Sequence, residues 1–177
     1  NPQWKNTRSN SITNSNTNGD YHDGGGIVGS FSGQLGFVRS WTDSFATLST
    51  LSRTKHGTEL CKILGKFMQQ KYPKFHFTSI CVNRNWPGTL HVDKNNLGPS
   101  KMLTVGSNTL RGGDLYIHTL SGGGKLIKTQ NRVVTFNGND PHMTQPYQGT
   151  RYSIVFYTTS SGIKPDRRKQ LKKLYFN

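Results

Sequence analysis

The stretch "TLHVDKNN", residues 89–96, places a histidine and an aspartate two positions apart, between an apolar residue and two asparagines. In a β-strand the side chains at positions i and i+2 point to the same face, so His91 and Asp93 converge while Val92 faces the opposite side. Two such side chains can occupy adjacent corners of an octahedral metal ion, and a second histidine would complete a two-histidine, one-carboxylate facial triad. An isolated H-x-D also occurs where an ordinary strand runs into a polar turn. Residues elsewhere in the chain are therefore needed to distinguish a metal site from a strand end.

The candidates for a third ligand are few. Four of the remaining histidines lie in the polar N-terminal region, in the helical region or on predicted strands: His22, His56, His76 and His118. His142 follows a turn and leads into a strongly apolar strand, and Arg151 comes nine residues later. Arg151 and Ser153 share one face of that strand. A guanidinium can bind a carboxylate through two hydrogen bonds, and a serine hydroxyl can add a third.

Three regions differ in composition. Residues 1–26 are rich in Asn, Ser, Thr and Gly, and we interpret them as a polar flexible arm. Residues 27–160 form the main domain, in which helices precede strands. Residues 161–177 form a basic C-terminal tail, either a short amphipathic helix or a disordered segment, and either would attract phosphates. The "GGGIVG" at 24–29 matches G-x-G-x-x-G, but without a strand before it and a helix after it we dismiss a dinucleotide site.

Periodicity predicts the fold of the main domain. A helical region extends from Trp41 to Tyr72 and ends at Pro73. Its apolar residues repeat with the period of one helix face: Leu60, Ile63, Leu64, Phe67 and Met68. Beyond Pro73 the period shortens toward two, which predicts strands at 75–82, 89–92, 101–106, 114–120, 124–129, 132–138 and 151–159. The pattern indicates a mainly β jelly roll or barrel with flanking helices.

The charge balance is strongly basic, with 23 Lys and Arg against 8 Asp and Glu, a formal net charge of +15. A chain this basic usually meets a polyanion, of which nucleic acid is the commonest, although a basic surface can also serve solubility alone. So few carboxylates make the clustered acids of a two-metal nuclease, or the facing pair of a glycosidase, hard to build.

Several patterns bear on the cellular context. No stretch approaches the roughly 18 apolar residues that a membrane span requires, so we expect no membrane partner. Cys61 and Cys81 are isolated thiols without a disulfide framework, which favours an intracellular, reducing compartment. The sequence does not determine the oligomeric state.

Three motifs in this order carry a resemblance: "HVD" (91–93), "GGDL" (112–115) and "H-x8-R-Y-S" (142–153). Together they resemble the Fe(II)/2-oxoglutarate-dependent dioxygenase superfamily, over residues 77 to 158. The resemblance implies a double-stranded β-helix in which His91, Asp93 and His142 bind Fe(II) and carry the catalysis. It also implies that Arg151, with Ser153, binds the distal carboxylate of 2-oxoglutarate.

A further motif and the reaction follow from the same resemblance. The "N-R-N" at 83–85 is similar to an N-R-Y in AlkB-type members, where that strand helps to hold the cosubstrate, so Asn83 and Asn85 become candidate cosubstrate residues. The implied reaction consumes 2-oxoglutarate and O2, releases succinate and CO₂, and hydroxylates a substrate C–H bond. The protein's contribution is positioning, tuning and exclusion of side reactions.

The candidate substrate is a nucleic-acid base. Asn96 lies three residues after Asp93, and this H-x-D-x-x-N resembles the TET/JBP branch, which oxidises the 5-methyl group of pyrimidines. In that branch the matching residue faces the target base, and an amide suits a pyrimidine edge; a turn-shaping role for Asn96 is the competing interpretation. Lys94 and Arg84 could supply phosphate contacts. We therefore predict a nucleic-acid partner, DNA rather than RNA, and a nuclear location.

Three different functions stay open beside this one. The compact "H-x8-R-Y-S" is equally similar to prolyl-hydroxylase-like members that act on proteins, and the Cys-rich zinc region of TET proteins is not found in this sequence. Algal relatives of the TET branch use ascorbate as co-substrate to modify 5-methylcytosine, in which case Arg151 need not hold 2-oxoglutarate. The third is a non-catalytic nucleic-acid-binding β-barrel in which the triad is accidental.

Overall fold

The structure is a computed structural model that describes residues 30–40, 42–119 and 123–176. The predicted arm at 1–26 and the "GGGIVG" motif lie outside the described residues. Within them the chain forms eleven strands, two α-helices and one short 3-10 helix. In chain order they are β1 (Phe31–Val38), β2 (Thr47–Leu48), the 3-10 helix (Leu51–Arg53), α1 (Lys55–Lys71), β3 (Ser79–Arg84), β4 (Ser100–Gly106), β5 (Arg111–Gly112), β6 (Leu115–His118), β7 (Gly124–Ile127), β8 (Val133–Phe136), β9 (His142–Thr144), β10 (Tyr147–Gln148), β11 (Arg151–Tyr157) and α2 (Pro165–Phe176).

Two antiparallel sheets form the barrel. The major sheet has the strand order β2-β1-β3-β11-β4-β8, the minor sheet has the order β7-β6-β9, and β10 pairs with β5. The inner faces of the two sheets enclose one apolar cluster: Cys81, Met102, Leu115, Phe136, Val155 and Tyr157. Because consecutive strand residues alternate between faces, the neighbours Ile154 and Phe156 of β11 pack on the opposite, outer face of the major sheet. The predicted double-stranded β-helix is confirmed.

Helices cover the outer face of the major sheet. Thr54 caps α1, since its side chain accepts a hydrogen bond from the amide of Gly57 at 3.0 Å. The C-terminal α2 packs beside α1, and Leu174 and Tyr175 are buried in the outer apolar cluster. Gly65 of α1 lies against the backbone of Tyr175, where a larger side chain would collide. The C-terminal segment is therefore a helix rather than a disordered tail, and that helix is part of the core.

The helical region is shorter than the sequence predicts. Helix α1 covers only 55–71, and the preceding residues form β2 and the 3-10 helix instead. Serine side chains bind the backbone here: Ser52 Oγ accepts a hydrogen bond from the amide of Gly36 in β1 at 2.7 Å, and the Ser52 amide donates to Ser49 Oγ at 3.2 Å. Serine side chains compete with helical bonding in this way. These bonds hold the segment against β1.

The predicted apolar face of α1 is also partly wrong. Ile63 is 65% exposed, whereas Cys61, Leu64 and Met68 are buried. The buried face includes Gly65, and this glycine lets α2 approach closely. The helix therefore presents a face that contains small residues, which a search for large apolar side chains does not find.

The strand prediction fails in two ways. It misses β1 and the short strands β2, β5, β9 and β10, and it includes one segment that is not a strand. Periodicity does not predict strand β1, because Gly33 and Gly36 interrupt its alternation of apolar and polar residues. The segment 89–92 is not a strand, and only His91 pairs there, with His142.

Neither described helix is long and apolar enough to span a membrane.

Candidate metal centre

His91, Asp93 and His142 come together where the 89–96 segment crosses the start of β9. His91 and His142 each donate a backbone N–H to the other's carbonyl, at 3.0 and 2.9 Å. The amide of Asp93 donates to the carbonyl of Gly138 at 2.7 Å. One ligand atom from each of the three side chains lies within 4.8 Å of the other two. The main chain thus brings together the three residues that the sequence motifs single out.

The imidazole rings are oriented for metal binding. His91 Nδ1 lies 2.5 Å from the carbonyl oxygen of Thr89, and His142 Nδ1 lies 2.8 Å from that of Asp140. A carbonyl oxygen only accepts hydrogen bonds, so each Nδ1 carries the proton and each Nε2 presents its lone pair. His91 Nε2 is buried and has no hydrogen-bond partner among the described residues. A metal ion would satisfy this atom.

Asp93 completes the donor set. Its exposed fraction is 5%, and its Oδ1 lies 3.7 Å from His91 Nε2 while Oδ2 lies 4.0 Å from His142 Nε2. The ring of Phe136 packs edge-on against the ring of His142, with 5.2 Å between centroids. Two neutral imidazoles and one carboxylate are the ligands of non-haem Fe(II) sites. The residues present fit that ion.

A second site surrounds Arg151 at the start of β11. Its exposed fraction is 1%, Nε donates to the carbonyl of Gly113 at 3.1 Å, and Nη2 donates to Thr104 Oγ1 at 3.3 Å. Burial lowers the pKa of the guanidinium, while Tyr147 and Asp114 act in the opposite direction. No ion pair joins Arg151 to a carboxylate of the described residues. Since a buried charge requires a counter-charge, this pocket is complementary to a small carboxylate.

Sequence reasoning missed two residues of this pocket. The ring of Tyr147 lies 5.5 Å from the Arg151 guanidinium carbon, and its hydroxyl is buried without a hydrogen-bond partner among the described residues. Burial raises the pKa of that hydroxyl. Gly113 has a φ of +78°, and a Cβ there would lie 2.8 Å from Arg151 Cδ. The "GGDL" motif was the available signal for Gly113, whereas nothing in the local pattern distinguishes Tyr147.

Asn83, Asn85 and Ser153 reach the same region, but the asparagines bind protein groups. Asn83 Nδ2 donates to Ser153 Oγ at 3.1 Å. Asn85 has a φ of +48°, and its Oδ1 accepts from the backbone amide of Arg151 at 2.9 Å. The two asparagines therefore hold Ser153 and Arg151 in place. Direct contact of either asparagine with a cosubstrate stays a prediction.

The predicted substrate residues do not converge. Arg84 follows Asn83 in β3, so it faces the outer side of the sheet, where its guanidinium carbon lies 6.0 Å from the ring centre of Tyr152. Lys94 is exposed in the turn after Asp93. Asn96 is buried, and its amide nitrogen donates to Asp93 Oδ2 at 3.1 Å and to Ser100 Oγ at 3.3 Å. The amide hydrogens of Asn96 are thus engaged by the protein.

Comparisons with known proteins place the fold. No protein-family model and no curated protein sequence matches the chain. Among solved structures, NgTET1 in complex with 5mC DNA is similar over 80% of this chain and 69% of its own, with 15% identity and a TM-score of 0.53. A 2OG-Fe(II) oxygenase family oxidoreductase from Burkholderia pseudomallei is similar over 77% and 71%, with 15% identity and a TM-score of 0.55.

A prolyl hydroxylase from Trichoplax adhaerens, in complex with a peptide of the hypoxia inducible factor oxygen degradation domain, covers 73% of this chain and 63% of its own. Its identity is 15% and its TM-score is lower, at 0.47. The first two likenesses establish that the fold is that of the 2OG-Fe(II) oxygenases. Within this fold the described residues present a two-histidine, one-carboxylate cluster and a buried arginine.

Proposed function

We propose that this chain is an Fe(II)- and 2-oxoglutarate-dependent dioxygenase that hydroxylates a nucleic-acid base, with the 5-methyl group of 5-methylcytosine or thymine in DNA as its substrate. The observation that carries the proposal is the convergence of His91, Asp93 and His142 within 4.8 Å, inside an oxygenase fold. Iron bound there would supply the activation of O2 and the oxidation of 2-oxoglutarate to succinate and CO₂. The remaining steps belong to the chain's own residues.

The three clustered side chains would hold the metal. His91 and His142 offer Nε2, and each ring is held by a backbone carbonyl through Nδ1. This arrangement fixes the tautomer and strengthens the donor atom. Two histidines and one carboxylate are the protein ligands that non-haem Fe(II) oxygenases use, so these residues would hold iron for reaction with O2.

Arg151 would bind the distal carboxylate of 2-oxoglutarate. Its guanidinium is fixed by Gly113 and Thr104, which leaves other N–H groups for a charge-assisted hydrogen bond. The buried hydroxyl of Tyr147 can donate to the same carboxylate. A carboxylate bound there supplies the counter-charge that the buried guanidinium requires.

Charge and fold together support the nucleic-acid substrate. The net charge of +15 would attract phosphates, and the similar NgTET1 structure contains 5mC DNA. Exposed basic side chains of α2 provide a surface on which a phosphate backbone could lie: Arg168, Lys169, Lys172 and Lys173. With a DNA substrate, the chain would work inside the cell, in the nucleus.

A product assay tests the proposal. The chain is incubated with Fe(II), 2-oxoglutarate and O2, in parallel with DNA containing 5-methylcytosine, DNA containing thymine, RNA and Pro-rich peptides, and products are analysed by mass spectrometry. We expect succinate together with one added oxygen atom on the DNA base, and neither with Asp93→Ala. Succinate and hydroxylation only with a peptide would refute the nucleic-acid substrate.

Two further arms of the assay test an ascorbate-dependent reaction and a non-catalytic barrel. In the first, ascorbate replaces 2-oxoglutarate, and base modification in that arm alone would contradict the role proposed for Arg151. In the second, DNA binding and metal binding are measured directly. DNA binding without metal binding and without any product would indicate a non-catalytic nucleic-acid-binding barrel.

A further inference from the structure

We infer that Asn96 is a positioning residue, which sets the orientation of the Asp93 carboxylate in the metal centre. The inference rests on the metal site of the proposed function. It goes beyond that function because it assigns Asn96 to the metal side of the site and explains the second half of the H-x-D-x-x-N pattern.

The side chains of Asp93, Asn96 and Ser100 form a buried chain of hydrogen bonds. Asn96 Nδ2 donates to Asp93 Oδ2 at 3.1 Å and to Ser100 Oγ at 3.3 Å. The exposed fractions are 5% for Asp93, 9% for Asn96 and 0% for Ser100. A primary amide has two N–H groups, and here each has a protein acceptor. No amide hydrogen of Asn96 is left to read a base edge.

The backbone of Asn96 is held as firmly as its side chain. Its amide donates to the carbonyl of Asp93 at 3.3 Å, and its carbonyl accepts from Asn139 Nδ2 at 3.3 Å. Asn96 also pairs with Thr159, just beyond the end of β11, and the amide of Leu97 donates to the carbonyl of Thr158 at 2.8 Å. The turn that carries Asn96 is therefore tied to the major sheet.

Gly138 encloses the Asp93–Asn96 pair from another side. A Cβ at this position would lie 2.9 Å from Asn96 Nδ2 and 3.0 Å from Asp93 Oδ2. The carbonyl of Gly138 accepts the amide of Asp93 at 2.7 Å. The absence of a side chain at 138 thus allows the backbone to pack directly on the pair, and the carboxylate has little room to rotate.

The hydrogen bond from Asn96 distinguishes the two carboxylate oxygens. Oδ2 accepts from the amide and lies 4.0 Å from His142 Nε2, whereas Oδ1 lies 3.7 Å from His91 Nε2. A hydrogen-bonded partner behind a metal-binding carboxylate orients it, and loss of such a partner typically costs about 10–100-fold in metal affinity. Without the amide, the carboxylate could rotate between one-oxygen and two-oxygen binding.

The test measures metal binding by the whole chain in the absence of cosubstrate and nucleic acid. Mn(II) is titrated anaerobically by calorimetry, and the absorption spectrum of the Co(II) form reports the coordination. Asn96→Ala is expected to weaken Mn(II) binding about 10–100-fold and to alter the Co(II) spectrum. Gly138→Ala should weaken binding in the same direction, because its Cβ would displace the same two groups.

The matched control is Asn95→Ala, which removes the neighbouring asparagine. Asn95 is exposed, and its Oδ1 accepts from Arg39 at 3.2 Å, away from the carboxylate. Binding by this variant should equal that of the wild type. Asn96→Ser, which retains a hydroxyl donor, should bind Mn(II) more tightly than Asn96→Ala, and it serves as the main variant if Asn96→Ala does not fold.

The outcomes separate this inference from the proposed function. If the wild type binds Mn(II) and the Asn96 and Gly138 variants bind it as Asn95→Ala does, the positioning role is overturned while the metal site stands. If the wild type does not bind Mn(II), Fe(II) or Co(II), the proposed function fails and the inference fails with it. Weaker binding and a changed spectrum in the Asn96 variants, with Asn95→Ala unchanged, confirm the inference.

Discussion

His91 and His142 are held together by their own main chains, since each donates its N–H to the other's carbonyl at 3.0 and 2.9 Å. Their rings lie 4.4 Å apart between centroids, and both Nδ1 atoms are engaged by backbone carbonyls. Because backbone bonds set the spacing, the pair is in place before a metal arrives. Such pre-organisation lowers the conformational cost of binding.

Replacing His142 with alanine should abolish Fe(II) and Mn(II) binding, because two ligands alone form a weak site. Anaerobic calorimetry with Mn(II) measures this, and His91→Ala should behave in the same way. His76→Ala is the control, since His76 is exposed and, within the described part of the chain, only its backbone carbonyl makes a hydrogen bond. Undiminished binding by His142→Ala would show that the cluster is not the metal site.

Replacing Arg151 with glutamine should raise the half-saturating concentration of 2-oxoglutarate about 10–100-fold, because a hydrogen bond to a charged group contributes about 1.5–3 kcal/mol. Binding to the metal-loaded protein can be followed by calorimetry. Arg111→Gln is the matched control, since among the described residues this exposed guanidinium bonds to backbone carbonyls alone. An equal effect of both variants would argue against the carboxylate pocket.

Tyr147→Phe separates binding from stability. The Tyr147 hydroxyl is buried without a partner among the described residues, and such a group costs about 1–3 kcal/mol. We therefore expect the variant to keep or raise the thermal midpoint while 2-oxoglutarate binding weakens about tenfold. Calorimetric melting and ligand titration measure the two effects. A lower midpoint with unchanged affinity would assign Tyr147 a purely structural role.

The close approach of Gly113 to Arg151 can be tested against a second glycine of similar backbone conformation. Gly113 and Gly98 have φ values of +78° and +70°, so alanine at either position costs about 1–2 kcal/mol. Only Gly113→Ala would also place a Cβ 2.8 Å from Arg151 Cδ, whereas nothing lies within 4 Å at Gly98. Denaturant unfolding should show a larger loss for Gly113→Ala, with weaker 2-oxoglutarate binding in that variant alone. Equal losses of stability in the two variants would show that the cost comes from the backbone conformation alone and not from contact with Arg151.

The exposed charges of α2 should contribute to nucleic-acid affinity. Glutamine replaces four exposed basic residues of α2: Arg168, Lys169, Lys172 and Lys173. The buried Leu174 and Tyr175 are left unchanged. Affinity should fall, and the slope of log affinity against log salt should decrease by about 0.9 for each lost phosphate contact. The control removes four exposed charges from α1: Lys55, Lys62, Lys66 and Lys71. If both sets reduce the affinity and the slope equally, the net charge matters and the α2 surface does not.

The sequence predicted the barrel because its strands alternate in polarity and end at Gly, Pro or Asn. Strand β11 shows this clearly, since Ser153 and Val155 face inward while Ile154 faces the helices. The same reasoning failed for β1, where Gly33 and Gly36 replace apolar residues. A glycine contributes no hydrophobic signal, although it permits the close packing that the structure uses.

The candidate metal ligands could be named from the sequence, because H-x-D, GGDL and H-x8-R-Y-S in this order resemble the motifs of the dioxygenase superfamily. The role of Asn96 could not, because spacing does not show which group an amide contacts. Tyr147 was missed for the same reason, since its relation to Arg151 depends on how β10 pairs with β5.

The sequence by itself determined the class of fold and the basic character of the chain, since these depend on periodicity and residue type. The resemblance of its motifs to the dioxygenase superfamily supplied the three candidate ligands. Only the tertiary structure decided which atoms face one another: Nε2 of both histidines toward Asp93, and the Asn96 amide behind its carboxylate. It also buried Arg151 beside Tyr147. The residues of most of these pairs lie only two to four positions apart in the chain. How they face one another depends on backbone hydrogen bonds to distant residues, such as those of His91 to His142 and of Asp93 to Gly138, which local patterns do not reveal.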